Sequence, residues 1–216
     1  GYAACQAATP DPVAEGNVGA GTGATVGKWA GPRYAMKGGL GSSALPVPDG
    51  GTVGALAVVN AVGDIVDPLD GRLVAGAFNP EARAFVTLDA ARRTGSPFGT
   101  GSGDGAPPPG TNTVIAVVAT DVTLSKEALY RVAQMAHDGI ARTVYPAHTP
   151  WDGDTVFALS TERRGGAATP GREEMERVGV IGALAAEALA LAVLRGVRAA
   201  RDAGGLLAAA SVSGGA

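Results

Sequence analysis

A candidate nucleophile stands at Thr113, directly after Asn112, where a Gly- and Pro-rich run gives way to the apolar stretch TVIAVVAT. A threonine hydroxyl is a weak nucleophile until a base removes its proton, and an N-terminal threonine has such a base in its own α-amine. The reference pKa of an α-amine is about 7.7–8.0, so a useful fraction of it is neutral near pH 7. Since translation places other residues ahead of Thr113, this chemistry requires cleavage of the Asn112–Thr113 bond.

The residues on either side of this bond suit such a cleavage. Residues 91–111 are rich in Gly, Ser and Pro and predict a flexible linker, whereas residues 113–120 predict a buried strand. The strand would fix Thr113, and the linker would let the upstream end move away after the hydroxyl has attacked the Asn112 carbonyl and water has hydrolysed the ester. A plain structural interpretation is also open, because Asn favours turns and Thr favours strand starts.

The Gly-rich segment GAGTGATVGK is not a nucleotide-binding loop. A Walker A loop needs a glycine where Thr22 stands and a Ser or Thr where Trp29 stands. The dinucleotide fingerprint needs a preceding strand and a different glycine spacing. The segment is more typical of tight turns and of backbone that approaches other backbone closely.

The remaining polar candidates are ambiguous by themselves. His137 and His148 are too few and too far apart for a convincing metal site, and His137 falls on the polar side of a predicted helix. Asp152 and Asp154 resemble a metal-binding DxD pair but also fit a solvated loop. No G-x-S-x-G motif is present, so a serine triad of the α/β-hydrolase type is not supported.

Composition limits the function classes. The 216 residues carry a net charge of −3, which gives no reason to expect nucleic acid or an anionic membrane as a partner. A single cysteine, Cys5, excludes a disulfide framework. No uninterrupted apolar run reaches about 18 residues, so we predict no membrane span, and we expect a cytoplasmic protein. Charged residues make up only 17%, which leaves surface that could be buried between subunits.

Hydrophobic periodicity predicts the elements that would position Thr113. Residues 51–60 predict a buried strand ending near Asn60, followed by a turn and a short strand before Pro68, and residues 155–161 predict another strand. Helices are predicted over 125–144, with Ser125 as N-cap, and over 174–202. Residues 17–45 predict turns with at most short strands, and no structure is assigned to the tail from Gly204. Strands interleaved with helices predict one layered α/β domain over 1–216.

Several stretches together resemble a family of self-cleaving hydrolases that includes the DmpA-type aminopeptidases, the β-peptidyl aminopeptidases and the nylon-oligomer hydrolase. They are GAGTGATVGKW (19–29), VGALAVVNAVGDIVDP (53–68), NTVIAVVATD (112–121), AQMAHDGIARTVYPAHTPWDGDTVFAL (133–159) and the Ala-rich C-terminal helix. The likeness runs in order over most of residues 16–200. It implies a layered αββα sandwich of mixed sheets between helices, made from one precursor that is cut into 1–112 and 113–216.

The resemblance also implies roles for individual residues. Thr113 would be the nucleophile and, through its amine, the base. Lys28 would place a positive charge beside it, which favours the neutral amine and stabilises developing negative charge. Asn60 would donate a side-chain hydrogen bond to the oxyanion, and Asp152 and Asp154 would orient Thr113 and its amine or pair with Lys28. No cofactor or metal is implied.

The resulting prediction is a self-processing N-terminal-threonine hydrolase of a short peptide, amide or ω-amino-acid oligomer, assembled as an oligomer of cut subunits. Family members carry strands and a site tyrosine ahead of the point where Gly1 stands, so we expect the sandwich to be incomplete at its N-terminus. The alternative is an uncut or truncated homologue that serves as a structural or interaction subunit. Two fragments on a denaturing gel would favour the enzyme, and one band the alternative.

Overall fold

The computed structural model describes residues 1–48, 50–87, 111–164 and 171–212. Apart from Thr111, the predicted linker over 91–111 lies outside the described residues. The strands are β1 (Thr25–Val26), β2 (Met36–Lys37), β3 (Gly39–Pro46), β4 (Thr52–Asn60), β5 (Asp64–Val66), β6 (Leu73–Ala75), β7 (Phe78–Asn79), β8 (Ala84–Phe85), β9 (Thr113–Val122), β10 (Val144–Tyr145) and β11 (Thr155–Arg164). The α-helices are α1 (Tyr2–Gln6), α2 (Lys126–Thr143), α3 (Arg172–Ala199) and α4 (Ala209–Val212).

A four-stranded sheet in the order β11-β9-β4-β3 forms the centre of the fold. Strand β9 runs antiparallel to β4 and parallel to β11, and β3 is antiparallel to β4. Small sheets of β10-β5-β6, β1-β2 and β7-β8 accompany it. The predicted strands over 51–60, 113–120 and 155–161 are therefore confirmed, as is the short strand before Pro68, although β9 and β11 continue slightly further than predicted.

Side chains of the central sheet alternate between two different environments, as the two-residue period of a strand requires. On the inner face, alternate residues of β4 and β9 are buried; they are Val53, Ala55, Ala57 and Val59 of β4 and Val114, Ala116 and Val118 of β9. On the outer face, Ile115, Phe157 and Leu159 are exposed. The outer face is therefore open at β9 and β11 within the described residues.

One layer of two helices, α2 and α3, covers the inner face. Helix α2 begins after Ser125, whose side chain accepts a hydrogen bond from the Ala128 amide, so the predicted cap is confirmed. From α2, residues such as Val132 and Ile140 enter the core at helical spacing, and Leu189 of α3 is fully buried beside them. The mixed α/β class is confirmed, with α2 and α3 close to their predicted bounds.

The prediction of at most short strands over 17–45 is wrong, because β3 is eight residues long. Its glycines serve packing against α3. A Cβ added at Gly41 would lie less than 3.0 Å from the Ala192 carbonyl oxygen, and one at Gly39 would approach the Gly196 carbonyl oxygen just as closely. Glycine at these positions lets the backbones of β3 and α3 touch. The glycines that weaken the prediction of a strand are therefore the residues that allow β3 to pack on α3.

Helix α3 has the length and hydropathy of a membrane-crossing helix, with 56% of its most apolar window buried inside the protein. It packs on β3 and β4 and against α2, which is the environment of a core helix. The tail from Gly204, to which the sequence analysis assigned no structure, includes the short helix α4, and Ala208 and Ala209 are buried.

The close approach of β3 to α3 can be tested with Gly41→Ala. The added methyl group meets backbone that cannot move aside, so we expect the free energy of unfolding to fall by about 2 kcal/mol. The melting temperature should then fall by roughly 4–8 °C. Gly23→Ala is the matched control, because a Cβ there meets nothing within 4 Å. Equal melting temperatures for the two variants would contradict the packing argument.

Candidate active site

Thr113 opens β9 directly opposite Asn60, the last residue of β4. The pairing places both residues at one end of the central sheet, and Thr113 shares the outer face with Ile115. The Thr113 hydroxyl oxygen is buried and has no hydrogen-bond partner within the described parts of the chain. Buried hydroxyls are nearly always hydrogen-bonded, so this one has unused bonding capacity beside the Asn112–Thr113 bond.

Asn112 is held firmly on the other side of that bond and is only 1% exposed. Its backbone forms a parallel bridge with Asp152, and its carbonyl oxygen accepts a hydrogen bond of 2.9 Å from the Gly153 amide. Its side-chain amide donates to the Trp151 carbonyl at 3.4 Å. A backbone donor, the Gly153 amide, therefore points at the carbonyl oxygen of the Asn112–Thr113 bond.

Lys28 lies at the same end of the sheet. Its Nζ donates to the Oδ1 of Asn60 at 2.8 Å and to the Asn60 carbonyl oxygen at 3.0 Å. Burial lowers the pKa of Lys28 to about 8, and the negative charge of Asp152 opposes part of that shift. Gly27 turns the chain into this position with φ of 71°, in the left-handed region that favours glycine.

The side-chain amide of Asn60 has both ends bonded. Its Oδ1 accepts hydrogen bonds from Lys28 and from the Thr25 amide at 3.0 Å. Its Nδ2 donates to the Thr111 carbonyl oxygen at 3.0 Å. The acceptor end is therefore turned to Lys28 and the donor end to the chain just ahead of Thr113.

Asp152 and Asp154 hold the backbone around Thr113, and their described hydrogen bonds do not reach its hydroxyl. The carboxylate of Asp152 accepts from the Val62 amide at 3.0 Å and from the Thr149 hydroxyl at 2.6 Å. The carboxylate of Asp154 accepts from the Val114 amide at 2.7 Å. The structure thus brings all five predicted side chains to one end of the central sheet.

Two further residues of this region were missed by the sequence analysis. The Nδ1 of His148 lies 2.7 Å from Oδ2 of Asp154. Asp64 accepts hydrogen bonds of 2.8 Å from the Trp29 indole and from the Ala77 amide, which anchors the turn that carries Lys28. His148 stands six residues before Asp154 in the loop quoted above, but sequence spacing alone does not indicate that the two meet.

His137 of α2 also lies close to this region. Its ring centroid lies 5.1 Å from that of His148, and the residue is half-buried. Burial lowers the pKa of His137, and the charge of His148 acts in the same direction. Within the described residues, no group of three His, Cys, Asp or Glu side chains could hold a metal ion.

A sequence model of peptidase family S58 matches residues 1–209. An uncharacterized aminopeptidase of Mycobacterium bovis is 42% identical over 95% of this chain and 58% of its own length. A 6-aminohexanoate-oligomer endohydrolase of Paenarthrobacter ureafaciens is 32% identical over 90% of this chain and 54% of its own length. The chain therefore spans little more than half the length of these curated relatives.

Solved structures share the fold at lower identity. A β-aminopeptidase of Burkholderia sp. aligns with a TM-score of 0.60 and 24% identity over 98% of this chain and 55% of its own. The L-aminopeptidase D-Ala-esterase/amidase of Ochrobactrum anthropi, described as a variant of the Ntn hydrolase fold, aligns with a TM-score of 0.59 and 23% identity over 91% of this chain and 48% of its own. These likenesses confirm the predicted fold class.

The anchor at Asp64 should make stability depend on pH. Burial raises the pKa of Asp64 from 3.8 to about 7, so folding favours the protonated carboxyl group. The contribution of Asp64 to the free energy of unfolding is therefore largest below about pH 4 and is lost as the pH rises through 7. Asp64→Asn removes the titration and keeps an oxygen that can accept from Trp29.

We therefore expect the melting temperature of the wild type, minus that of Asp64→Asn, to be larger near pH 5 than near pH 8. Circular dichroism during heating measures both values. Because the control differs at one titrating group, other ionisations cancel in the difference. A difference that stays constant would show that Asp64 keeps an ordinary pKa in the folded protein, and one that grows with pH would show that folding lowers this pKa.

Proposed function

Because the chain belongs to peptidase family S58, we propose that it is the catalytic part of a self-processing amide hydrolase with Thr113 as its nucleophile. The observation that carries the proposal is the buried hydroxyl of Thr113, which has no hydrogen-bond partner in the described part of the chain and lies beside a carbonyl already bonded to the Gly153 amide. A free hydroxyl can turn towards the carbonyl carbon without first breaking a hydrogen bond. A donor on the carbonyl oxygen stabilises the negative charge that attack creates.

Self-cleavage would begin with attack of the Thr113 hydroxyl oxygen on the carbonyl carbon of Asn112. The carbon–nitrogen bond then breaks, the hydroxyl proton passes to the departing nitrogen, and an ester links Asn112 to the threonine side chain. Water hydrolyses this ester, which leaves a carboxylate on Asn112 and regenerates the hydroxyl. Thr113 is then an N-terminal residue with a free α-amine.

That amine would act as the base in turnover. It takes the proton of the Thr113 hydroxyl as the oxygen attacks a substrate amide, and the proton then passes to the departing amine. Water releases the acyl group from the threonine. A protonated Lys28 close by disfavours protonation of the α-amine, which keeps the base in its active form.

Asn60 would change partners between these two stages. Before cleavage its Nδ2 is bonded to the Thr111 carbonyl, in the segment that ends at Asn112. Departure of that segment would free Nδ2 to bond the oxyanion of a substrate. The Lys28 ammonium on Oδ1 fixes the amide orientation, so the donor end stays turned towards the chain just ahead of Thr113.

We propose a short peptide or amide as the substrate, since the relatives include an aminopeptidase and a hydrolase of 6-aminohexanoate oligomers. Both kinds of substrate present an amide bond to the nucleophile and need no cofactor for its hydrolysis. A cytoplasmic location and assembly into oligomers of the cut pair stay predictions from composition and resemblance.

Thr113→Ala tests the nucleophile. Purified wild-type protein should give two masses under denaturing conditions, corresponding to a break between Asn112 and Thr113, whereas Thr113→Ala should give one unbroken mass. Thr113→Ser keeps a hydroxyl and should still be cut. An uncut wild type would favour the alternative of a structural subunit, and a cut Thr113→Ala would place the chemistry on another residue.

Asn60→Asp tests the oxyanion donor, because it removes the Nδ2 donor and keeps an oxygen for Lys28. We expect kcat on an amide substrate to fall by about 10²–10³-fold with a small change in KM. Asn79→Asp is the matched control, since the Asn79 oxygen only caps the Glu81 and Ala82 amides away from this site. Similar kcat values for wild type and Asn60→Asp would exclude Asn60 as the donor.

A further inference from the structure

Asp154 is a buried carboxylate whose two oxygens have different partners. The side chain is 5% exposed, and Oδ1 accepts from the Val114 amide at 2.7 Å. Within the described residues, the other side-chain partner of Asp154 is Nδ1 of His148, at 2.7 Å from Oδ2. A buried carboxylate needs a partner for its charge, and here the partner is an imidazole that is 39% exposed.

The hydrogen bond from Val114 to Asp154 matters for the proposed nucleophile because Val114 directly follows Thr113. Cleavage would break the covalent link to Asn112, and the hydrogen bond between the Asn112 carbonyl and Gly153 would then hold only the departing segment. The Val114 amide is the first backbone donor after Thr113, and its hydrogen bond to Asp154 involves no residue ahead of the cleavage point. Asp154 would therefore still restrain the new N-terminus after the upstream restraints are lost.

His148, whose ring contacts Asp154, has an uncommon backbone conformation. Its φ is 53°, in the left-handed region that few residues other than glycine adopt, although His and Asn do so more readily than most. Such a conformation persists only where surrounding contacts favour it.

We propose that His148 is a positioning residue for the nucleophile: its Nδ1–H fixes the Asp154 carboxylate, and Asp154 fixes the amide that follows Thr113. This inference rests on the proposed function. His148 acts through Asp154 and does not touch the reacting atoms.

Three variants separate the side-chain hydrogen bond from the backbone conformation. His148→Asn keeps a donor, Nδ2, at the position of Nδ1 and tolerates the left-handed region. His148→Gly tolerates the same backbone but has no donor. His148→Ala loses the donor and also disfavours that backbone.

Two readouts are needed so that failure of the proposed function can be told from failure of this inference. The first is the extent of self-cleavage and kcat on an amide substrate. The second is hydrogen exchange of the Val114 amide, followed by NMR in uncut Thr113→Ala protein, where no catalysis is required. Thermal melting of each variant confirms that it is folded.

We expect His148→Gly and His148→Ala to lower kcat by about 10²-fold, the size of effect that a misplacement of about 1 Å produces. Exchange of the Val114 amide should become at least about 10-fold faster in the same variants. His148→Asn should stay within about 10-fold of wild type in both readouts, because it restores the bond to Asp154.

Two outcomes would overturn the inference. If His148→Gly matches wild type in both readouts, the imidazole contributes nothing to the position of Thr113. If His148→Asn is as inactive as His148→Gly while exchange of Val114 is unchanged in both, the imidazole acts in the chemistry itself. An uncut wild type would contradict the proposed function, yet the exchange measurement would still decide whether His148 fixes Asp154.

Discussion

The site depends on the antiparallel pairing of Asn60 with Thr113 at the adjoining ends of β4 and β9. That register is set by the core, since the buried alternate residues of both strands must face α2 and α3 together. A slip of one residue would turn Thr113 towards the helices and Val114 towards the open face. The hydrophobic contacts of the inner face therefore decide where Thr113 lies.

A second constraint is the buried charge of Lys28. An ammonium group taken out of water is stable only with good partners, and Asn60 supplies two oxygens while Asp152 supplies opposite charge nearby. The turn at Gly27 makes this geometry possible, because a Cβ there would lie less than 3.0 Å from the Gly76 backbone. The Gly-rich segments are thus part of the site, since they let charged and polar groups approach the strand ends closely.

Several elements were predictable because their signals are local. The apolar runs of β4, β9 and β11 and the capped periodicity of α2 are each contained in a few consecutive residues. Strand β3 was missed because its glycines are explained only by α3, which follows about 150 residues later and closes on them. Asp64 was missed for a related reason, because its partners Trp29 and Ala77 lie in other segments of the chain. His148 was missed because a spacing of six residues within one loop does not predict that its ring meets Asp154.

The amino-acid sequence alone was enough to predict that Thr113 begins a strand, that α2 starts after Ser125 and that the chain resembles a known family of hydrolases, because motif order and periodicity are properties of the chain. Which groups meet depends on the tertiary structure. The fold turns the donor end of Asn60 towards Thr111 and bonds Asp154 to Val114 and His148. It also leaves the Thr113 hydroxyl without a partner among the residues that the structure describes. These features arise from the packing of separate loops at one sheet end, where distances depend on the whole core.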